Sequence, residues 1–399
     1  MTKIPILKIL EPKSPAPNGI AFLRLGFRPF YLSAAVFAVI AIPVWMMVFL
    51  GQWAWTPPIS PVLWHGHEML FGFATAVIIG FLLTAAKAWT GLQTPRGPQL
   101  GALALLWLAA RFAAVSAPYP IYALLDTLLL PIVAGVLIRL LLRAKNTRNL
   151  GLAALLVLLA SGNAAFHLAV LGVLEISSAR VLHAALAVIV MVECVMAGRV
   201  IPGFTMSATP GLKIKPLVWL DQACLVLTGV GLALWVIVPP GWMTALALGL
   251  AAASHVGRQW RWSPLLTRQR PILWILHVSY AWIPAGLGLM AAAQLGLIPI
   301  SPGVHSLAVG ATGGLIIGMI TRTARAHSGR TLQVSNVEVV ALALVPVAAV
   351  LRVVLPLFRP DLLAVSLIGA ALAWSAAFSI YLYIYAPWLI RSRIDGRDG

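Results

Sequence analysis

Apolar runs of about twenty residues, parted by short turns, follow one another along almost the whole chain, and that is the length a helix needs to cross a bilayer. In hydrocarbon a helix satisfies every backbone N–H and C=O within its own segment, so such runs leave little choice of fold. The runs fall near 29–50, 65–87, 100–117, 121–142, 150–173, 180–200, 217–238, 241–257, 272–296, 303–324, 337–356 and 362–388. Breaks such as TPPISP, SAPYP, PPGW and PISPG lie between them. The expected fold is all-α, a polytopic transmembrane bundle of about twelve helices. It divides into a basic cytoplasmic N-terminal segment (1–28), a single transmembrane domain (29–390) and a cytoplasmic tail (391–399). The first run follows Lys3, Lys8, Lys13, Arg24 and Arg28 and lacks a small-residue cleavage site, so it is expected to remain as a helix.

Of the 399 residues, 61% are hydrophobic and only 10% charged, where a soluble domain would carry about a quarter charged. The formal net charge of +18 would suggest nucleic acid in a soluble protein. Here the cations sit in alternate loops. Lys87 and Arg96 follow the second run, Arg139, Arg143, Lys145 and Arg148 the fourth, Arg199, Lys213 and Lys215 the sixth. Arg258, Arg261, Arg268 and Arg270 follow the eighth, Arg322, Arg325 and Arg330 the tenth, and Arg391, Arg393 and Arg397 the last. The loops between are almost uncharged. This is the positive-inside pattern, which puts both termini in the cytoplasm of a bacterial inner membrane and makes the lipid bilayer, not nucleic acid, the partner. Arg352 and Arg359 alone are out of step. Cys194 and Cys224 lie inside apolar runs and form no CxxC or CxxCH, so neither a disulfide framework nor covalent haem attachment is indicated.

Orientation gives each histidine a depth. His65, His67, His167, His183 and His305 share the outer layer; His255, His277 and His327 lie in the inner half. Ionisable groups at membrane depth are costly and mark functional sites. Neutral imidazole ligates haem iron and copper, and helix bundles build such sites from inward-facing side chains. The stretch WHGHEM holds His65, His67 and Glu68. Helical positions two apart point about 200° apart, so His65 and His67 cannot hold one metal if both are helical. Either they face two centres, or His65 precedes the first turn, or one is a ligand and the other an interfacial residue.

Asn163 and His167 share a helix face at i and i+4, so Asn163 could orient the ring or bond a neighbouring helix. His183 sits near Arg180, which could meet a haem propionate or only anchor the interface. Glu193 lies roughly 15 Å from His183 along its helix, a buried carboxyl that either hydrogen-bonds a neighbour or passes protons. Asp126 and Arg111 are both toward the outside and could pair. His277 is either a ligand of an inner site or a hydrogen-bonded core residue, and a surface role is favoured for His255. Gly310, Gly314 and Gly318 form a small-residue stripe best explained by helix packing.

These segments together resemble a known family. WHGHEMLFGF, GFLLTAAKAWTG, LGFRPF, NAAFH, GRVIPGFT, LHVSYAW and HSLAVGATGGLIIGMITRTARAHSGR are similar to the signatures of NnrS family proteins. The sequence departs from the family's pattern at Ala326–Arg330, where His327 is kept, and at Leu315, where a Met is expected. The resemblance implies a twelve-helix inner-membrane protein containing haem b and copper, linked to nitric oxide metabolism, denitrification and nitrosative-stress defence. Carried over by motif, the candidate ligands are His65, His67, His167, His277, His305 and His327, and His183 joins them by depth. A weaker analogy is the haem–copper oxidase main subunit, also a twelve-helix bundle with outer-half histidine sites.

The leading expectation is redox chemistry on nitric oxide, as in an NO reductase, with membrane quinol as electron donor. Glu68 and Glu193 are the candidate catalytic carboxylates; Arg180 joins His65, His67, His167, His183, His277 and His305 as cofactor-binding, and metal ligation falls to His65, His67, His167, His183, His305 and His327. The alternatives are a twelve-helix transporter of metal, haem or a small solute, and a haem protein that binds NO without turnover.

Overall fold

A computed structural model describes residues 19–55 and 59–397. Lys3, Lys8 and Lys13 of the basic N-terminal segment, and residues 398–399 of the tail, lie outside the described residues. Each expected run falls on one long helix: α1 (Phe27–Phe49), α2 (Pro61–Thr90), α3 (Pro98–Ser116), α4 (Tyr119–Arg143), α5 (Leu150–Val170), α6 (Ser178–Ala208), α7 (Val218–Ile237), α8 (Trp242–Arg261), α9 (Pro271–Gln294), α10 (Ser301–His327), α11 (Asn336–Phe358) and α12 (Leu363–Ile390). No strand occurs among the described residues. Eleven of these segments are long and apolar enough to cross a membrane. The exception is α8, whose second half carries Ser254, His255, Arg258, Gln259 and Arg261, so the expected twelfth span is a helix without the composition of one. The sixth run also extends past its expected end near residue 200, because α6 continues through Pro202 to Ala208.

Burial ranks the helices. The apolar windows of α2 and α10 are 78% and 72% buried, against 28% for α1. The two most enclosed helices are therefore the ones that carry HxH and His305. They begin alike, with Ser60-Pro61 and Ser301-Pro302 placing a proline in the first turn, where its missing N–H costs no hydrogen bond. The hydroxyl of Ser60 also accepts from the backbone N–H of Leu63 at 3.4 Å. Around this pair, α1 packs on α12, α3 through α6 follow in sequence, and α8 packs on α9. α10 lies against α9 along its glycine stripe: a Cβ on Gly318 would come within 2.7 Å of Leu276 Cδ2, and Gly310 and Gly314 face Trp282 and Ser279.

Arg28 Nη1 donates to the carbonyls of Leu389 at 2.8 Å and Arg391 at 2.7 Å, so the start of α1 and the end of α12 meet at one end of the bundle. The opposite end gathers the first turns of α2, α4, α6 and α10 and the last turns of α5 and α11. Three helices widen to π geometry at that end, over Glu68–Ala74, Ser306–Gly313 and Val350–Val354. A π turn leaves a local excess of one residue and re-aims the side chains around it, which is why such turns recur at functional sites.

Filling the stripe should be costly. Gly314→Leu drives a side chain into Ser279 of α9, and overpacking of this kind costs about 1–3 kcal/mol. The expected outcome is a lowered Tm of the purified protein, with Gly249→Leu, where a Cβ meets nothing within 4 Å, as the neutral control.

Candidate functional site

The chemistry at the π-turned end starts from α2. His65 and His67 both lie within its α-helical first turns, which run over Pro61–His67. They therefore point to opposite sides, and each side holds a different constellation.

On the His67 side is a fully enclosed polar cluster. Arg111 of α3 bridges two carboxylates: its Nη1 donates to Glu68 Oε2 at 2.5 Å, and its Nη2 pairs with Asp126 Oδ1. Gly72 makes room for it, since a Cβ there would lie 2.8 Å from Arg111 Nη1. Trp107 closes the same turn by donating its indole N–H to the carbonyl of Gly72 at 3.0 Å, a carbonyl within the π segment. Tyr122 of α4 donates to Glu68 Oε1 at 2.7 Å. Asn163 of α5 donates to Asp126 Oδ2 at 2.7 Å, which turns its own Oδ1 toward His67 Nε2 at 3.0 Å. His167, one turn further along α5, brings Nε2 to 3.2 Å from Asp126 Oδ2 while Tyr119 OH stands 2.9 Å from its Nδ1.

His67 meets acceptors at Nε2, Asn163 Oδ1 at 3.0 Å and Asp126 Oδ2 at 3.4 Å, while its Nδ1 lies 2.8 Å from Tyr122 OH and 3.2 Å from Glu68 Oε1. Tyr122 OH stands between Nδ1 and Glu68 Oε1 and can donate to either, so a neutral ring with its proton on Nε2 is accommodated. What asks for a cation is the charge: Glu68 and Asp126 face a single Arg111. His67, Asp126 and His167 offer ligand atoms within 4.8 Å of one another, the one such group among the described residues. Two imidazoles and one carboxylate form a donor set that suits iron, copper or zinc, and Glu68 behind His67 is the carboxylate that typically orients a ligating ring.

On the His65 side is a cavity of about 350 Å³ lined by His65, His183, His305, Arg352 and the indoles of Trp45 and Trp374. That volume is within the roughly 300–1,000 Å³ of cofactor and ligand pockets. Its walls are otherwise mostly apolar, including Leu70, Phe73, Leu186 and Val309, with Ser301 and Thr312 the remaining polar side chains. His65 stacks on Trp45, ring centres 4.1 Å apart, and His183 on Trp235 at 4.5 Å. His305 is held at Nδ1 by the carbonyl of Ser301 at 2.9 Å. Its Nε2 lies 3.2 Å from Arg352 Nη2, and since a guanidinium only donates, Nε2 carries the lone pair. Nδ1–H on a carbonyl is the tautomer a metal-ligating histidine uses, but here the Nε2 lone pair accepts from Arg352, which must turn aside before Nε2 can coordinate. Arg352 has its other bond to Ser301 Oγ at 3.1 Å. Both partners are neutral, so the cation faces the cavity without a counter-charge.

The other expected site residues are dispersed. Arg180 is exposed and lines neither site; the guanidinium at the cavity is Arg352. His327 lies at the far end of α10 with its ring 5.2 Å from that of Phe27. His277 bonds Thr205 Oγ1 at 3.0 Å through Nε2 and leaves Nδ1 unpartnered. The surface role expected of His255 is not what the fold shows: it is fully buried, between Tyr280 OH at 2.5 Å and Thr228 Oγ1 at 2.8 Å. Glu68 touches His67, Arg111 and Tyr122 rather than the cavity. Glu193 lines a smaller chamber next to the cavity. Asp126 was expected as a partner of Arg111, not as a carboxylate shared by two histidines, and Arg352 was expected only as a loop charge.

The fold and the paired sites define a polytopic helical membrane protein with a buried imidazole–carboxylate cluster and an adjoining histidine cavity at one end. The chain belongs to the NnrS protein family, whose profile matches residues 21–393. Membership fits a membrane protein connected with nitric oxide, and the family is associated with metal or haem binding. No curated protein matches the chain.

The Arg111 bridge yields a direct test. Arg111→Met leaves two buried carboxylates without a counter-charge, a change that costs about 3–5 kcal/mol. The expected outcome is a large loss of thermal stability, with Arg111→Met/Glu68→Gln/Asp126→Asn recovering a good part of it. Equal stability of the single and triple variants would contradict the bridge.

Proposed function

We propose that the protein holds a haem b in the His65–His183–His305 cavity and a copper ion at His67, Asp126 and His167, and that it reduces nitric oxide there with electrons from membrane quinol. The observation that carries the reading is the division of HxH: His65 and His67 share one helix turn and serve two neighbouring sites of different character. The cavity is apolar, of cofactor size, and edged by one unneutralised guanidinium, which suits a flat macrocycle with acidic substituents. The cluster is small, polar and short of positive charge, which suits a metal ion. When bound, the haem and copper would supply an NO-binding centre and single-electron transfer.

The protein's own residues have definable tasks. His65, His183 and His305 offer imidazoles from α2, α6 and α10, and Ser301 fixes the tautomer of His305. Arg352 would bind the acidic edge of the macrocycle. Glu68 orients His67 and, with Arg111 on its other oxygen, keeps that carboxylate from turning into the cavity. Asn163 holds Asp126 Oδ2 and so sets the distance between the two imidazoles that approach it. The overall reaction balances as two NO plus one quinol giving nitrous oxide, water and quinone. The alternation of loop charge supports an orientation in a bacterial inner membrane with both termini cytoplasmic and the sites near the periplasmic face. A transporter of this size would be expected to use a pair of broken helices at its binding site; α2 and α10 instead run unbroken through their π turns, which favours a fixed cofactor site.

The test is a reduced-minus-oxidised optical spectrum of the detergent-purified protein, with iron and copper quantified on the same sample. Paired b-type bands and near-stoichiometric metals are expected, and a colourless protein expressed with ample haem would overturn the reading. The two sites should then separate. His305→Ala and His183→Ala should reduce the haem bands while leaving copper, and His167→Ala and Asp126→Asn should do the reverse. Glu68→Gln should weaken copper binding by about 10–100-fold without loss of haem.

A further inference from the structure

Next to the histidine cavity lies a second chamber of about 100 Å³, and Ala74 and Thr312 line both. Its walls are apolar, with Val77, Phe81, Ile189 and Leu276 among them, and only three polar side chains interrupt them: Tyr31 of α1, Glu193 of α6 and Thr312 in the π turn of α10. Tyr31 OH, Glu193 Oε2 and Thr312 Oγ1 are each buried without a well-aligned hydrogen bond, Thr312 standing beside Glu193 and Thr323 beside Tyr31. Buried polar atoms left in this way are rare, and three of them around one small chamber have a common physical explanation. The chamber is apolar apart from these three groups, but together they offer a water the two or more hydrogen bonds it needs, and about 100 Å³ accommodates more than one. No Lys, Arg or His lines it, so an ionised Glu193 would have no cation beside it; Tyr31 is the only other titratable group there.

We propose that this chamber holds a short water chain and that Glu193, a carboxylic acid in the resting protein, donates protons through it past Thr312 to the histidine cavity. The inference rests on the reading of that cavity as the place where nitric oxide is reduced. In the step, the O–H bond of Glu193 breaks and its proton passes to the water at Thr312. That water releases one of its own protons into the cavity, where the reduction of NO to nitrous oxide and water consumes it. The Glu193 carboxylate is restored by one of the two protons that oxidation of a quinol sets free. Thr312 accepts and donates through one hydroxyl, so it is a positioning residue for the chain, and its place within a π turn common to both cavities is what lets it serve them.

The experiment is an infrared pH titration of the full-length protein in lipid nanodiscs, followed by quinol-driven NO consumption on the same samples. The wild type should show a carboxylic C=O band that Glu193→Gln removes, Thr312→Val shifts and D₂O displaces. Absence of such a band, or indifference to Thr312→Val and D₂O, overturns the water chain. Glu193→Gln should also slow NO consumption at least about a hundredfold, the scale of a lost proton donor, with the optical bands unchanged. Unaltered turnover overturns delivery by Glu193 while leaving NO reduction in place. A wild type that shows the band and the shifts but consumes no NO refutes the functional reading and the delivery step, and leaves a hydrated Glu193.

Discussion

Arg111 stands between Glu68 and Asp126, and the arrangement of this end of the bundle follows from that one cation. Two carboxylates and a guanidinium away from water have a large desolvation cost, repaid only when geometry and the remaining hydrogen bonds are good. Here the remaining bonds come from Tyr122, Asn163 and the rings of His67 and His167, so α2, α3, α4 and α5 are tied through one network. Rotating α2 by one residue would break it. The same rotation would move His65 off the cavity, because a helix carries every side chain with it. Registry at the cluster therefore sets the direction of the imidazole on the other face, and a buried ionic network is a plain way to select one register among several that an apolar helix would otherwise tolerate.

The π turns complete that control. Each of the three falls beside a group aimed inward: His67 and Glu68 at the first, His305 and Thr312 at the second, Arg352 within the third. An α-helix repeats every 3.6 residues, and a π turn shifts the phase of everything after it. The first turns of α2 and α10 can then present imidazoles on one phase while the remaining helix packs its small residues on another, as Gly314 and Gly318 do against α9. Gly72 belongs to the same device, since the π segment of α2 needs a position without a Cβ where Arg111 and Phe37 approach.

Most of the fold was legible because the apolar runs are long and unambiguous; α8 was located too, as an apolar run expected to span, although its second half lacks the composition of one. The splitting of HxH was legible as one of several outcomes, since helical phase alone forbids a shared metal and only the position of the first turn was open. Asp126 was harder. An intramembrane carboxylate is a functional signal, but its natural partner in sequence was Arg111, and nothing in a single chain shows that one oxygen would pair with the cation and the other face two histidines. The π turns left no trace in composition, and Arg180 was singled out for its place beside His183, while Arg352 stood out only as a charge at odds with the loop pattern.

Arg352 also carries the more general lesson of the charge pattern. The positive-inside bias acts on loops during insertion, so a cation that disobeys it is retained against that bias and needs its own reason. The reason here is local: Ser301 and His305 hold the guanidinium at the cavity wall, and neither neutralises it. The cluster on the other face of α2 has the opposite imbalance, two carboxylates against one arginine. Each site is incomplete in charge, with opposite sign, and they are separated by the width of one helix. An anionic group in the cavity and a cation in the cluster would correct both at once. Two such imbalances stay adjacent without the helices rearranging to join them because Arg111 and Gly66 keep α2 seated: a Cβ on Gly66 would come within 2.9 Å of Leu182, so α6 closes directly over the turn between the two histidines.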